Sequence, residues 1–85
     1  MTKHFTYIVR CADDTLYTGY TTDVNRRVSE HNGHKKGARY TRARQPVTLV
    51  YSQSFETKSL ACKEEARIKK LTKKQKLLLI QKTNV

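Results

Sequence analysis

The sequence predicts an α+β domain, a small three-stranded antiparallel sheet flanked by helices in the order ββαβαα. Three observations predict it. Residues 4–11 alternate, with Phe5, Tyr7, Val9 and Cys11 on one face and His4, Thr6, Ile8 and Arg10 on the other, which is the period of a strand. The polar turn Ala12-Asp13-Asp14 leads into Thr15–Thr21, rich in Thr and Tyr, so the two segments read as a hairpin. Beyond the hairpin, capping residues stand before helical spacings of apolar residues, and one further β-type run separates them.

The elements follow in order. Thr22-Asp23 caps a first helix running to about His34, and the aspartate suits the positive helix N-terminus. His31-Asn32-Gly33 begins its end, because Asn and Gly accept the conformations found past helix ends. Lys35 to Gln45 reads as a loop with five basic residues and no acidic one. Pro46 starts a third strand over Val47–Gln53. Thr57 or Ser59 opens a second helix to about Lys70. Thr72-Lys73-Lys74-Gln75 matches a capping box, so a third helix starts there and carries Leu77–Ile80.

Eighty-five residues make one domain, 1–85, with a small core. A chain this short buries only about 60% of the surface it exposes when unfolded. The net charge is +11, from 18 Lys and Arg against 7 Asp and Glu. That balance implies an anionic partner, nucleic acid first, with ribosome association or an anionic membrane surface as alternatives. Cys11 and Cys62 are far apart without metal spacing and read as small core residues of a reducing compartment. The longest strongly apolar run, Leu77–Ile80, is far too short to span a membrane, so a cytoplasmic protein is expected.

Some residues break the packing pattern. Val24 and Val28 start a helical stripe that continues through Arg27 and His31, putting two basic groups on or beside the face that meets the sheet. Such an arginine must be paired or line a cleft, unless its stem carries the charge out to solvent. If Cys11 pairs with Thr15, Tyr7 lies opposite Gly19 and Val9 opposite Tyr17. Both tyrosines then share one face, and Gly19 leaves a gap where a ligand backbone could approach. A one-residue slip would separate them. In the second helix Glu64 is four after Leu60, and Glu65 is four after Ala61 and three before Ile68, so at least one glutamate borders the apolar side made by Leu60, Ala61, Ile68 and Leu71. A carboxylate there could bind Mg²⁺ or Mn²⁺, or simply pair with a neighbour such as Lys69.

Taken together these residues resemble the GIY-YIG nuclease family. Phe5-Thr6-Tyr7 stands for its first motif and Tyr17-Thr18-Gly19 for its second, with Arg27 where the family's arginine falls. The stretches Arg26–Gly33 and Lys36–Thr41, and Ser59–Leu71 with Glu65, look like the small standalone bacterial members. They are also similar to the catalytic subunit of a structure-selective DNA resolvase. The resemblance implies a divalent-metal-dependent endonuclease acting on DNA, in repair or recombination, or a binding module of the same fold that cleaves little. It implies a site of Tyr7, Tyr17, Arg27 and His31, with Glu65 rather than Glu64 holding a single Mg²⁺ or Mn²⁺. In such a site Tyr7 would be the base, with its pKa lowered by Arg27, which also clamps the phosphate. Tyr17 would orient the nucleophile, and His31 would relay a proton or contact the phosphate. Substrate contacts are expected from Gly19, Lys35, Lys36, Arg39, Tyr40, Arg42, Arg44, Lys70 and Lys73, mostly to phosphates and with little sequence preference. Tyr40 would stack on a base or pack on the sheet. The expected partner is nucleic acid, DNA ahead of RNA, and no membrane.

Overall fold

A computed structural model describes residues 2–33 and 38–83. Its elements run β1 (His4–Arg10), β2 (Leu16–Thr21), α1 (Val24–His31), α2 (Arg39–Arg42), β3 (Thr48–Phe55), α3 (Lys58–Lys69) and α4 (Lys73–Thr83). The strands form one antiparallel sheet in the order β2-β1-β3, so the N-terminal strand is central. This is the expected ββαβαα arrangement with one addition. A single helical turn, α2, stands inside the basic segment that reads as loop. With four residues and no side-chain cap, it falls below what periodicity can reveal.

The hairpin turn sets the register that everything else depends on. Asp13 accepts hydrogen bonds from the backbone N–H and the hydroxyl of Thr15, at 3.2 and 2.6 Å. Cys11 N–H donates to the Thr15 carbonyl at 2.8 Å. With that closure, Tyr7 pairs with Gly19 and Val9 with Tyr17.

Both faces of the sheet are covered. On one, Tyr7, Val9, Cys11 and Val47 form a buried cluster joined by Tyr17 and by Val28 of α1. On the other, Ile8, Tyr51 and Ile68 pack together, with Leu16, Val50, Leu79 and Ile80 around them. Burial on both sides explains why β1 loses its polar alternation at Thr6 to Val9, all buried. The hydroxyl of Thr6 is satisfied by the Ala61 carbonyl at 2.6 Å, which ties α3 to the central strand. Leu60, placed on the buried side by spacing, is exposed, as are Leu77 and Leu78; α3 buries Ala61 and Ile68 instead.

Helix ends follow the capping chemistry. Asp23 accepts from Arg26 N–H at the start of α1, and Thr57 accepts from Leu60 N–H at the start of α3. The Thr72–Gln75 capping box is reciprocal, at 2.9 and 3.2 Å. α1 ends at His31, earlier than His34; the His31-Asn32-Gly33 run begins its end, and Gln45 Nε2 donates to the carbonyls of His31 and Gly33. Asn32 acts as a substitute strand partner for Val47, accepting from its N–H at 2.7 Å and donating to its carbonyl at 3.2 Å. Its replacement by alanine is expected to lower stability by about 1–2 kcal/mol, two neutral hydrogen bonds, as read by urea unfolding. An unchanged midpoint would show that water replaces the amide fully.

No helix among the described residues is long and apolar enough to cross a membrane. Both cysteines are free thiols, Cys11 buried and Cys62 partly so.

Candidate active site

The site grows from the paired strands. Gly19 has no side chain, and the phenol of Tyr7 crosses the space that one would occupy. A Cβ on Gly19 would sit 2.5 Å from the Tyr7 hydroxyl oxygen and 2.6 Å from Cζ. The gap expected to admit a ligand backbone is therefore filled from within. Gly19 serves the Tyr7 ring, because the ring lies across the neighbouring strand.

Tyr7 is 1% exposed, and its hydroxyl lies 2.7 Å from Nε2 of His31. α1 brings His31 over the sheet, where the imidazole is the one fully buried side chain of the helix. Its other nitrogen, Nδ1, lies 2.7 Å from the hydroxyl of Thr41, in α2. Tyr17 meets the imidazole edge-on, with ring centroids 5.2 Å apart. Both ring nitrogens are thus engaged, Nε2 by Tyr7 and Nδ1 by Thr41.

Arg27 lies one turn before His31 on the same helix. It is half-buried and binds Glu30 Oε1 at 2.9 Å. Its guanidinium also acts on the Tyr7 hydroxyl, favouring the ionised phenol. Of the two alternatives for a misplaced arginine, the paired one holds, and the charge stays near the buried face. Burial works against that charge, yet the bonds to Glu30 and Tyr7 leave its pKa raised.

The proton affinities run against a simple tyrosinate. Burial raises the Tyr7 pKa, and the hydrogen bond and charge of Arg27 offset only part of that. Arg27 therefore does not by itself bring the phenol below its ordinary value. His31 is lowered to about 4, first by burial and then by the Arg27 charge. The resting pair is a phenol beside a neutral imidazole.

Glu65 approaches from α3, which packs across β1 and β2. Its charge acts on the Tyr7 phenol, and its carboxylate binds Lys69 at 2.9 Å. Glu64, by contrast, forms a two-pronged pair with Arg67, at 2.7 Å for each contact, and its charge acts on Tyr51. The two glutamates left open by spacing thus face different surroundings. No group of three or more His, Cys, Asp or Glu side chains among the described residues could hold a metal. A lone carboxylate fits a hard divalent ion that keeps several waters and shares a substrate phosphate, the usual habit of Mg²⁺. The donor set therefore suits Mg²⁺ or Mn²⁺ and not zinc, which takes several nitrogen or sulfur ligands.

The basic residues divide. Arg39 and Arg42 of α2, Lys70 at the end of α3 and Lys73 at the start of α4 are exposed. Arg44 is committed to the fold. It binds Asp13 at 3.0 Å and the Tyr40 carbonyl at 2.8 Å, and it lies 4.0 Å over the Tyr40 ring. Tyr40 is in turn stacked on Tyr17, with centroids 5.9 Å apart. Tyr40 packs on Tyr17 yet stays 41% exposed. Lys35 and Lys36 lie outside the described residues. Thr41 is the residue of this cluster that the sequence did not single out. Only the fold shows that its hydroxyl meets the imidazole.

A sheet whose central tyrosine meets an arginine and a histidine from the next helix, with a glutamate from a later one, defines a nuclease-type domain. The model of the GIY-YIG catalytic domain matches residues 3–78, and the chain belongs to that family. A UPF0213 protein of Staphylococcus epidermidis is 57% identical over 81 residues, 95% of this chain and 98% of its own length. One from Staphylococcus aureus is 54% identical over the same span. The solution structure of a UPF0213 protein from Bacillus halodurans is similar at a TM-score of 0.60 and 43% identity, covering 93% of this chain and 83% of that one. A solution structure from E. faecalis reaches 0.63 at 40% identity, covering 100% and 91%.

Proposed function

We propose that the chain is a cytoplasmic, divalent-metal-dependent endonuclease that hydrolyses phosphodiester bonds in DNA during repair or recombination. One observation carries the reading. The Tyr7 hydroxyl is held at once by a cation, Arg27, and by a neutral imidazole, His31 at 2.7 Å. That is the environment in which a phenol can take a proton from water while passing its own onward.

Each residue then has a defined task. Arg27 exchanges part of its contact with Glu30 for the scissile phosphate and binds it through charge-assisted hydrogen bonds. Tyr7 accepts a proton from the attacking water as its own proton moves to Nε2 of His31. The water oxygen bonds to phosphorus, the P–O bond to the leaving oxygen breaks, and that oxygen is protonated from solvent. Tyr17 supports the imidazole edge-on and borders the nucleophile. Glu65 would hold the single Mg²⁺ or Mn²⁺ after giving up Lys69. A bound ion would neutralise charge on the phosphate and the leaving oxygen. Arg39, Arg42, Lys70 and Lys73, with Lys35 and Lys36, supply phosphate contacts that weaken as salt rises. Among these contacts Gly19, Tyr40 and Arg44 act indirectly, by supporting Tyr7 and the turn beside it.

The test uses branched, flapped and single-stranded DNA with Mg²⁺ or Mn²⁺. Arg27→Ala and Glu65→Ala are each expected to lower cleavage on the order of 10²-fold or more, by loss of charge placed at the transition state. Cleavage that survives both substitutions belongs to a contaminant and ends the reading. Tight, salt-sensitive binding without any cleavage identifies a nucleic-acid-binding module of the same fold.

A further inference from the structure

Both ring nitrogens of His31 have a hydroxyl partner at 2.7 Å, and the way those hydroxyls point sets its tautomer. Thr41 is fully buried, and its hydroxyl has two partners, the Ala38 carbonyl at 3.0 Å and His31 Nδ1 at 2.7 Å. The Ala38 carbonyl, which only accepts, also takes the backbone N–H groups of Thr41 and Arg42 at 3.1 Å each. With the hydroxyl hydrogen directed to Ala38, the Thr41 oxygen accepts from His31 and Nδ1 carries the ring hydrogen. At the other end, a bare Nε2 at 2.7 Å from the Tyr7 hydroxyl gives the phenolic hydrogen an acceptor.

We propose that Thr41 is a positioning residue that fixes His31 as the Nδ1–H tautomer and so keeps Nε2 bare as the proton acceptor of Tyr7. The catalytic consequence rests on the nuclease reading, whereas the tautomer does not. With the opposite tautomer, His31 would donate to Tyr7, and the phenolic hydrogen would lose that acceptor. α2 acquires a purpose on this account. One helical turn, outside the sheet, carries the hydroxyl that selects which imidazole nitrogen faces the phenol.

Long-range ¹H–¹⁵N NMR of the imidazoles in the full chain, near neutral pH, reads the tautomer directly, with His31 assigned by its loss in His31→Gln. The wild type and Thr41→Ser are expected to show Nδ1 protonated and Nε2 bare. Thr41→Val is expected to show a mixture or the Nε2–H form. In parallel, Thr41→Val should lower DNA cleavage by about 10²-fold, the lower range of a proton acceptor's contribution, and serine should recover most of it. A wild-type Nε2–H tautomer overturns the proposal, as does a folded Thr41→Val protein that keeps Nδ1–H alone. If Thr41→Val does not fold, Thr41→Ala, which also lacks the hydroxyl, takes its place with the same expected and overturning results. A correct tautomer in a chain that does not cut supports Thr41 as the tautomer lock and removes the nuclease reading.

Discussion

Gly19→Ala is expected to lower cleavage on the order of 10²-fold while every group named in the chemistry is still present. The added methyl would lie 2.5 Å from the Tyr7 oxygen, 2.6 Å from Cζ and 2.9 Å from Cε2. Real Cβ atoms do not sit so close to a ring, and the ring cannot yield without leaving His31, 2.7 Å away, and Arg27. Displacing a reacting group by about 1 Å costs on the order of 10²-fold in rate. Overpacking of this kind also costs about 1–3 kcal/mol of stability, only partly offset by the better strand propensity of alanine. The two effects separate in a double-mutant cycle. Beside Tyr7→Val, which removes the ring, the stability loss from Gly19→Ala should shrink, because the two positions act through one contact. Wild-type cleavage by Gly19→Ala would show that the Tyr7 ring need not lie across the strand.

The second large effect is a loss of stability in mild acid. His31 titrates near 6.5 in the unfolded chain but is lowered to about 4 in the fold, by burial and by the Arg27 charge. Between those values the unfolded chain binds the extra proton, so stability rises with pH through the window. It is fully present above about pH 6.5 and lost as pH falls toward 4. The shift corresponds to about 3 kcal/mol at most. Glu64 adds a loss of the same sign, but only at lower pH, since pairing with Arg67 keeps its pKa below the ordinary carboxylate value. Glu64 therefore stays outside the interval from about pH 6.5 to 4.5, and the His31→Gln variant separates His31 from the other histidines. Urea unfolding across that interval should show a slope that His31→Gln removes. The same slope in both proteins would place the titrating group elsewhere.

Much of this arrangement is readable from residue order, for identifiable reasons. Period-two alternation and the Asp13 turn specify the hairpin register, because a slip of one residue would turn a buried face outward. The stripe through Val24, Arg27, Val28 and His31 places basic groups against the sheet before any coordinates are known. What sequence could not show was set by tertiary contact. α2 is one turn long and has no periodicity to detect. Arg44 looks like its basic neighbours, yet Asp13 and Tyr40 engage it. The gap at Gly19 was visible, but that Tyr7 itself fills it depends on how the phenol leans across the strand. Glu64 and Glu65 are adjacent, and spacing treats them alike. The fold distinguishes them through Arg67 on one side and Lys69 on the other. The direction of the Arg27 influence on Tyr7 was legible too, but not that burial would outweigh it.

The bond from Thr6 to the Ala61 carbonyl has a meaning beyond packing. It joins the strand that carries Tyr7 to the helix that carries Glu65, across most of the chain's length. The groups of the proposed site come from five separate elements, and no contiguous fragment contains a working subset. Positive charge, in contrast, is spread along the chain and needs no fold to attract nucleic acid. Attraction and cleavage thus have different thresholds. On the proposed reading, a nascent or partly unfolded chain would adhere to nucleic acid, but would acquire the means to cut only when α3 closes over the first strand.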